Sequence, residues 1–111
     1  MDQLTIREKK GANYMLLELS GSVNAYTVSE LQEKVYTYIK TANVVLDMSL
    51  VTQLDSSGVG VVLAGHIDGE KFNTKLFVMS PSDPARRSLE RTGFMDSFYL
   101  IHAVTEVADA S

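Results

Sequence analysis

Val44-Val45-Leu46-Asp47-Met48 and, a few residues later, Leu54-Asp55-Ser56-Ser57-Gly58-Val59-Gly60-Val61-Val62-Leu63 form the stretch on which the fold turns. The first part is a short continuous apolar run, the pattern of a strand buried on both faces. The second is a polar turn leading into an apolar helix, with Val59, Val62, Leu63 and Ile67 marking its buried stripe. A hydroxyl in such a turn stands at a helix N-terminus, where backbone N–H groups point outward and negative charge is favoured. That is a seat for a phosphate, either one arriving as a ligand or one attached covalently to a serine. Asp and Ser before an apolar helix are also ordinary N-cap residues, worth about 1 kcal/mol. Two tandem hydroxyls after an acid, followed by two glycines, exceed what capping requires.

Working outward, Leu4-Thr5-Ile6 and Met15-Leu16-Leu17-Glu18-Leu19 alternate in character, with the turn residues Gly11-Ala12-Asn13 between them. They read as a hairpin, the second strand ending at Ser20-Gly21-Ser22. Val28, Leu31, Val35 and Ile39 recur at helical spacing and predict a helix from about Ala25 to Lys40. Thr27-Val28-Ser29-Glu30 has the form of a capping box at its start. On the helix after the serine turn, Gly60 and Ala64 lie four apart, spacing that suits close approach of a strand or a partner, and Asp68-Gly69-Glu70 ends it. Lys75-Leu76-Phe77-Val78-Met79 is a further buried strand. Asp83-Pro84 fits a helix start and Gly93 its stop. Phe98-Tyr99-Leu100-Ile101 is a last short strand, and Thr105 to Ala110 a weak terminal helix. The order is β-β-α-β-α-β-α-β-α. Strand-helix-strand units force parallel pairing while the hairpin is antiparallel, so the sheet is mixed.

The 111 residues, 45% hydrophobic, read as a single domain over residues 1–111, without linker or repeat. The net charge of −4 argues against a nucleic-acid partner, because the pairs Lys9-Lys10 and Arg86-Arg87 are flanked by acids. Without cysteine there are no disulfides and no thiolate metal sites. No apolar run approaches the roughly 20 residues that span a bilayer, and Met1-Asp2-Gln3 lacks the character of a signal peptide. A soluble cytoplasmic domain with no membrane insertion is expected.

The chemistry available narrows further. The phosphate-loop consensus is absent, and Gly58-Val59-Gly60 is only a fragment of a dinucleotide-binding pattern. His66 and His102 are far apart in sequence, and His66 reads as a helix-face residue, so no metal or cofactor is expected. Ser56 lacks the nucleophile-elbow pattern and an evident base. The expected class is therefore not an enzyme.

The stretch Leu54-Asp55-Ser56-Ser57-Gly58-Val59-Gly60 resembles the signature of the STAS domains that act as bacterial anti-sigma factor antagonists (anti-anti-sigma factors). The resemblance covers nearly the whole chain. Leu19-Ser20-Gly21-Ser22-Val23-Asn24 is similar to the family's turn after its second strand, and Val44 to Ser49 to the strand before the signature. Ser80-Pro81, with Leu89-Glu90-Arg91-Thr92-Gly93-Phe94, is similar to the later helix and its glycine stop. The resemblance implies an α/β STAS fold, with a mixed four- to five-stranded sheet and about four helices.

It also implies a phosphorylation-controlled partner switch. The unphosphorylated domain binds an anti-sigma factor that is also a serine kinase, which releases the sigma factor and so regulates transcription. Phosphorylation separates the complex, and a metal-dependent serine phosphatase resets it. On the matching positions Ser56 is the phosphoacceptor, Asp55 helps position it, and Ser57 is the cap and the second choice of acceptor. Asn24, Asp55, Ser56, Ser57, Gly58 and Gly60 are the expected partner-binding residues. The chain departs from the family's Glu-x-Asp at Ser22-Val23-Asn24, which keeps a capping side chain but lightens the local negative charge. A phosphoserine brings about −1.5 to −2 charges. The helix dipole and the neighbouring Asp55 nearly offset each other at about 1 kcal/mol each. The switch is thus expected to act at the interface and to leave the fold almost unchanged.

Two rivals stand beside this. A response-regulator receiver would use Asp47 as phosphoacceptor, but Gly11-Ala12-Asn13 and His102-Ala103 occupy the places of its acidic pair and lysine. The same STAS fold could instead be a small-ligand sensor, a non-catalytic subunit of a transport complex, or a partner switch with another output, such as biofilm formation, secretion or a second messenger.

Overall fold

The computed structural model describes residues 3–110. Met1, Asp2 and Ser111, which belong to the expected 1–111 domain and its N-terminal tripeptide, lie outside the described residues. The elements follow the expected order: β1 (Leu4–Lys10), β2 (Tyr14–Val23), α1 (Val28–Ile39), β3 (Asn43–Leu54), α2 (Ser56–Phe72), β4 (Leu76–Met79), α3 (Asp83–Glu90), β5 (Tyr99–Ile101) and α4 (Thr105–Ala110). A single 3-10 turn at Met95–Ser97, absent from the sequence expectation, precedes β5.

The described strands form one five-stranded sheet in the order β1-β2-β3-β4-β5. β1 and β2 are antiparallel, and the other three pairings are parallel. Strand alternation divides the apolar residues between the two faces. Leu17, Leu19, Val44, Leu46, Met48, Leu76 and Val78 join Leu31, Val35 and Ile39 of α1, Val61 and Val62 of α2, and Ala85 and Leu89 of α3 in the main core. Leu16, Val45, Phe77 and Ile101 form a smaller cluster closed by Val107 of α4. Val44, Val45 and Leu46 are fully buried, as expected for a strand covered on both faces.

Several boundaries differ from expectation. β2 does not end at Ser20-Gly21-Ser22 but continues to Val23, with register irregularities on either side of the Ser20-Gly21 pair. Gly21 supplies a positive φ of +109° there, and a Cβ would stand 1.9 Å from the Gln3 carbonyl oxygen. β3 does not stop near Met48 but runs 12 residues to Leu54. Its pairing with β4 ends at Asp47, whereas its pairing with β2 continues to Leu54. Beyond Asp47 the strand is covered on one side only, so Ser49, Leu50, Thr52 and Gln53 are exposed while Val51 and Leu54 are buried. Asp47 therefore sits inside a strand and accepts hydrogen bonds from the Ser49 N–H and hydroxyl, away from the strand-end place of a receiver's acceptor.

α1 begins at Val28, after a turn at 25–27, and the capping box is not formed. Thr27 instead uses its hydroxyl to accept from the Asn24 N–H at 2.9 Å and to donate to the Ser22 carbonyl at 2.9 Å. α2 passes through Gly69 and ends at Asn73, whose φ of 61° forms a left-handed cap. Its buried stripe is Gly58, Val61, Val62, Gly65 and Gly69. Val59 and Leu63 are only partly buried, and Ile67 is exposed. Close approach occurs at these buried glycines: a Cβ on Gly65 would stand 2.8 Å from Leu76 and one on Gly69 2.9 Å from the Thr74 carbonyl oxygen. Gly60 and Ala64 face outward, with nothing within 4 Å of a Cβ on Gly60.

Candidate functional site

β3 delivers its last residue, Leu54, into the core and leaves Asp55 extended, with φ −91° and ψ −173°. That conformation turns the Asp55 carboxylate back over the first turn of α2. It accepts from the Ser57 N–H at 2.9 Å and the Gly58 N–H at 3.2 Å, filling two of the donors a helix start leaves open. Asp55, and not Ser57, is thus the N-cap. A carboxylate reaches the N–H groups two and three residues on, whereas Ser57 already lies inside the helix. Both serine hydroxyls are released from capping.

The two serines are not equivalent. Ser56 is the first helical residue and is exposed, while Ser57 is half-buried. Neither hydroxyl has a hydrogen-bond partner among the described residues. Gly58 explains how tightly this turn sits: a Cβ there would lie 2.4 Å from Leu54 Cδ1 and 2.7 Å from Val23 Cγ1. The N-terminus of α2 is packed against the ends of both β2 and β3.

Asn24 joins this site through the backbone. The Asp55 N–H donates to the Val23 carbonyl at 3.1 Å, so the turn after β2 and the turn after β3 are pinned together. Asn24 Oδ1 accepts from the Tyr26 N–H at 2.8 Å, and Nδ2 donates to Ser22 Oγ at 3.1 Å. Ser22 is buried and donates to Gln53 Oε1 at 3.0 Å. The two departures from the family turn are thus members of one neutral hydrogen-bonded network. An acid at 22 would place a carboxylate in that buried position. Tyr26, the most exposed large apolar side chain at 89%, stands on the same turn.

An open groove of about 640 Å³ runs from this turn to α3, lined among others by Asp55, Ser56, Gly60, Arg87, Ser88 and Arg91. Ser57, Gly58 and Asn24 do not line it. α3 is fixed beside β3 by hydrogen bonds from Ser82 Oγ to the Val51 carbonyl at 2.6 Å and from Ser88 Oγ to the Leu54 carbonyl at 2.5 Å. In the sequence Arg87 stands out only as half of an acid-flanked basic pair, and Arg91 only as a member of the stretch Leu89 to Phe94. Their i,i+4 spacing across the end of a short helix after the serine turn is the available signal.

The histidines take no part in the site. His66 packs edge-on to Phe98 and near Tyr99, with Nε2 3.6 Å from Glu70 Oε1. His102 is exposed, and its backbone N–H, with that of Ala103, donates to the Glu106 carboxylate, which holds that carboxyl below the usual range. Among the described residues no group of three or more His, Asp or Glu is placed to hold a metal, and no helix is long and apolar enough to cross a membrane.

This architecture has known relatives. The family model for the STAS domain matches residues 3–110, and the chain belongs to that family. Its fold is similar to the crystal structure of an anti-sigma factor antagonist from Mycobacterium paratuberculosis, with a TM-score of 0.82 at 20% identity over 96% of this chain and 92% of that one. The anti-sigma factor antagonist SpoIIAA in its unphosphorylated form superposes with a TM-score of 0.79 at 19% identity, covering 96% and 95% of the two chains. The phosphorylated form of the Bacillus cell fate determinant SpoIIAA gives 0.75 at 19% identity, covering 96% and 98%.

Proposed function

We propose that this STAS domain is a phosphorylation-controlled partner switch. In its unphosphorylated form it binds an anti-sigma factor that is also a serine kinase and so frees the sigma factor; phosphorylation of Ser56 ends the binding. The domain is substrate and ligand, and catalysis belongs to its partners. Ser56 Oγ attacks the γ-phosphorus of ATP held by the kinase, the bond to ADP breaks, and the hydroxyl proton passes to a base of the kinase. In the reset, a metal-dependent phosphatase directs water onto the phosphoserine phosphorus, inorganic phosphate leaves, and Ser56 regains its proton.

The observation that carries this reading is the division of labour at the helix start. Asp55 satisfies the cap, which leaves an exposed, unbonded hydroxyl on Ser56 at the first position of α2. The turn at Asn24 and Tyr26, pinned to Asp55 through Val23, is uncharged, while Arg87 and Arg91 line the groove on the α3 side of Ser56. Seating a dianion against a partner there need cost only about 2.7 kcal/mol to lower affinity a hundredfold.

The test is capture from the native host on immobilised protein. Wild type and Ser56→Ala should retain the same kinase in the absence of ATP. Added ATP should release it from wild type but not from Ser56→Ala, and Ser56→Asp should fail to retain it. Equal retention by all three, with all three folded, would sink the switch. Capture of membrane ATPase subunits in place of a soluble kinase would point to the transport role.

A further inference from the structure

Arg87 in the last turn of α3 and Arg91, the residue that caps its C-terminus, line the same groove as Asp55 and Ser56, although they come from a different part of the chain. We propose that this groove is a built-in receptor for a phosphate carried by Ser56, with the two guanidinium groups closing on its oxygens within the same molecule. The proposal rests on the reading of Ser56 as the phosphoacceptor and adds to it where the phosphate goes.

Three features carry it. Both arginines are exposed, and neither belongs to any ion pair among the described residues, where the pairs are Lys9–Glu18, Lys34–Glu8 and His66–Glu70. Asp83 and Glu90, the acids of α3, do not line the groove. Among the described residues the only carboxylate that does is Asp55, and it is already committed to the Ser57 and Gly58 N–H groups. The groove thus holds two positive charges against one negative, and a phosphate of about −1.5 to −2 brings it close to balance.

Position is the second feature. Ser88, the residue between the arginine faces, bonds the Leu54 carbonyl, immediately before Asp55, and Ser82 bonds that of Val51. The helix that carries Arg87 and ends at Arg91 is therefore tied to the strand that presents the serine. The third feature is chemical fit. A guanidinium presents a planar fork of donors that matches phosphate oxygens, and such charge-assisted bonds are the strong ones. Ser57 and Arg86 do not line the groove, so the pairing is specific to Ser56 with Arg87 and Arg91.

The test installs phosphoserine at position 56 during translation, independently of any kinase, and follows its second ionisation by phosphorus NMR. The two guanidiniums favour the dianion, so the wild-type phosphate should titrate about half a unit or more below that of an Arg87→Gln/Arg91→Gln double variant, roughly a threefold or larger change in proton affinity. Each single variant should show part of the shift, which serves if the double variant folds poorly. Arg86→Gln should match wild type. A phosphate that titrates alike with and without Arg87 and Arg91 overturns the clamp while leaving phosphoryl transfer to Ser56 standing. Failure of any host kinase to modify Ser56 would sink the proposed switch without altering this titration.

Discussion

The backbone N–H of Asp55 donates to the carbonyl of Val23, 3.1 Å away, and so ties the end of β3 to the end of β2. Parallel neighbours finish at the same edge of a sheet, and this bond holds two loops of distant sequence in one surface. Asn24 and Ser56 each follow a member of the pair, so the sheet sets their relative position before any side chain contributes.

The cap on this junction has a measurable share in stability. Asp55→Ala should lower the unfolding free energy by about 1 kcal/mol, in the range typical of lost N-caps. Asp55→Asn keeps the acceptor and loses only the charge–dipole part, about 0.3–1 kcal/mol. Urea denaturation should therefore rank wild type, Asn, Ala; an Asn variant as unstable as Ala would show that the carboxylate does not act as a cap.

The glycines of the signature should respond oppositely to the same change. Gly58→Ala forces a Cβ against Leu54 and Val23 and should cost about 1–3 kcal/mol. Gly60→Ala meets open space in a helix and should gain about 0.5–1 kcal/mol. If Gly60 belongs to the partner surface, the stabilised variant will still lose kinase binding, measured by titration calorimetry.

Phosphoryl transfer should modify one serine of the pair. Trypsin leaves both serines on the single peptide spanning residues 41–71, so fragmentation within that peptide locates the label. Ser56 is expected. Label confined to Ser57 would reverse the assignment of acceptor.

Far from the site, Glu8 accepts hydrogen bonds from Lys34 and Tyr38 and joins β1 to α1. The Lys34 hydrogen bond, followed by that of Tyr38, holds the Glu8 carboxyl below its ordinary 4.5. Its bond to Glu8 raises Lys34 above 10.5, and the same carboxylate raises Tyr38 above 10.0. The Glu8 contribution is thus complete above 4.5 and fades as pH falls through its lowered folded value. The Lys34 and Tyr38 contributions are complete below about 10 and fade as pH rises through their raised folded values. A Glu8→Gln variant should unfold at lower urea than wild type within this window, and the gap should close at pH 3. A gap that persists there would assign the effect to packing.

The sequence made the strand order and the serine turn legible because those signals are local: an apolar run, a polar turn, a helical period. What it concealed depended on neighbours. Ser49, Thr52 and Gln53 interrupt the apolar pattern of β3 because β4 stops at Met79 and leaves them exposed, which hides the second half of the strand. The stripe expected on α2 holds at Val62 and in part at Val59 and Leu63, but it misses Gly58, Gly65 and Gly69, which carry no hydrophobic signal although they are where backbone meets core. Thr27 and Glu30 had the letters of a capping box, but the Thr27 hydroxyl was drawn back to Ser22 and Asn24. Arg87 and Arg91 gained meaning only when α3 was seen beside the serine turn.

Where β4 ends, β3 becomes an outer strand, and α3 takes over its edge. The Ser82 N–H bonds the Met48 carbonyl at 3.0 Å, and the Ser82 and Ser88 hydroxyls take those of Val51 and Leu54. Unpaired strand edges are templates for pairing with other chains. The small helix that frames the serine groove therefore also covers carbonyls of this strand edge. Any variant that lifts α3 should reveal itself first as self-association, before the core has begun to melt.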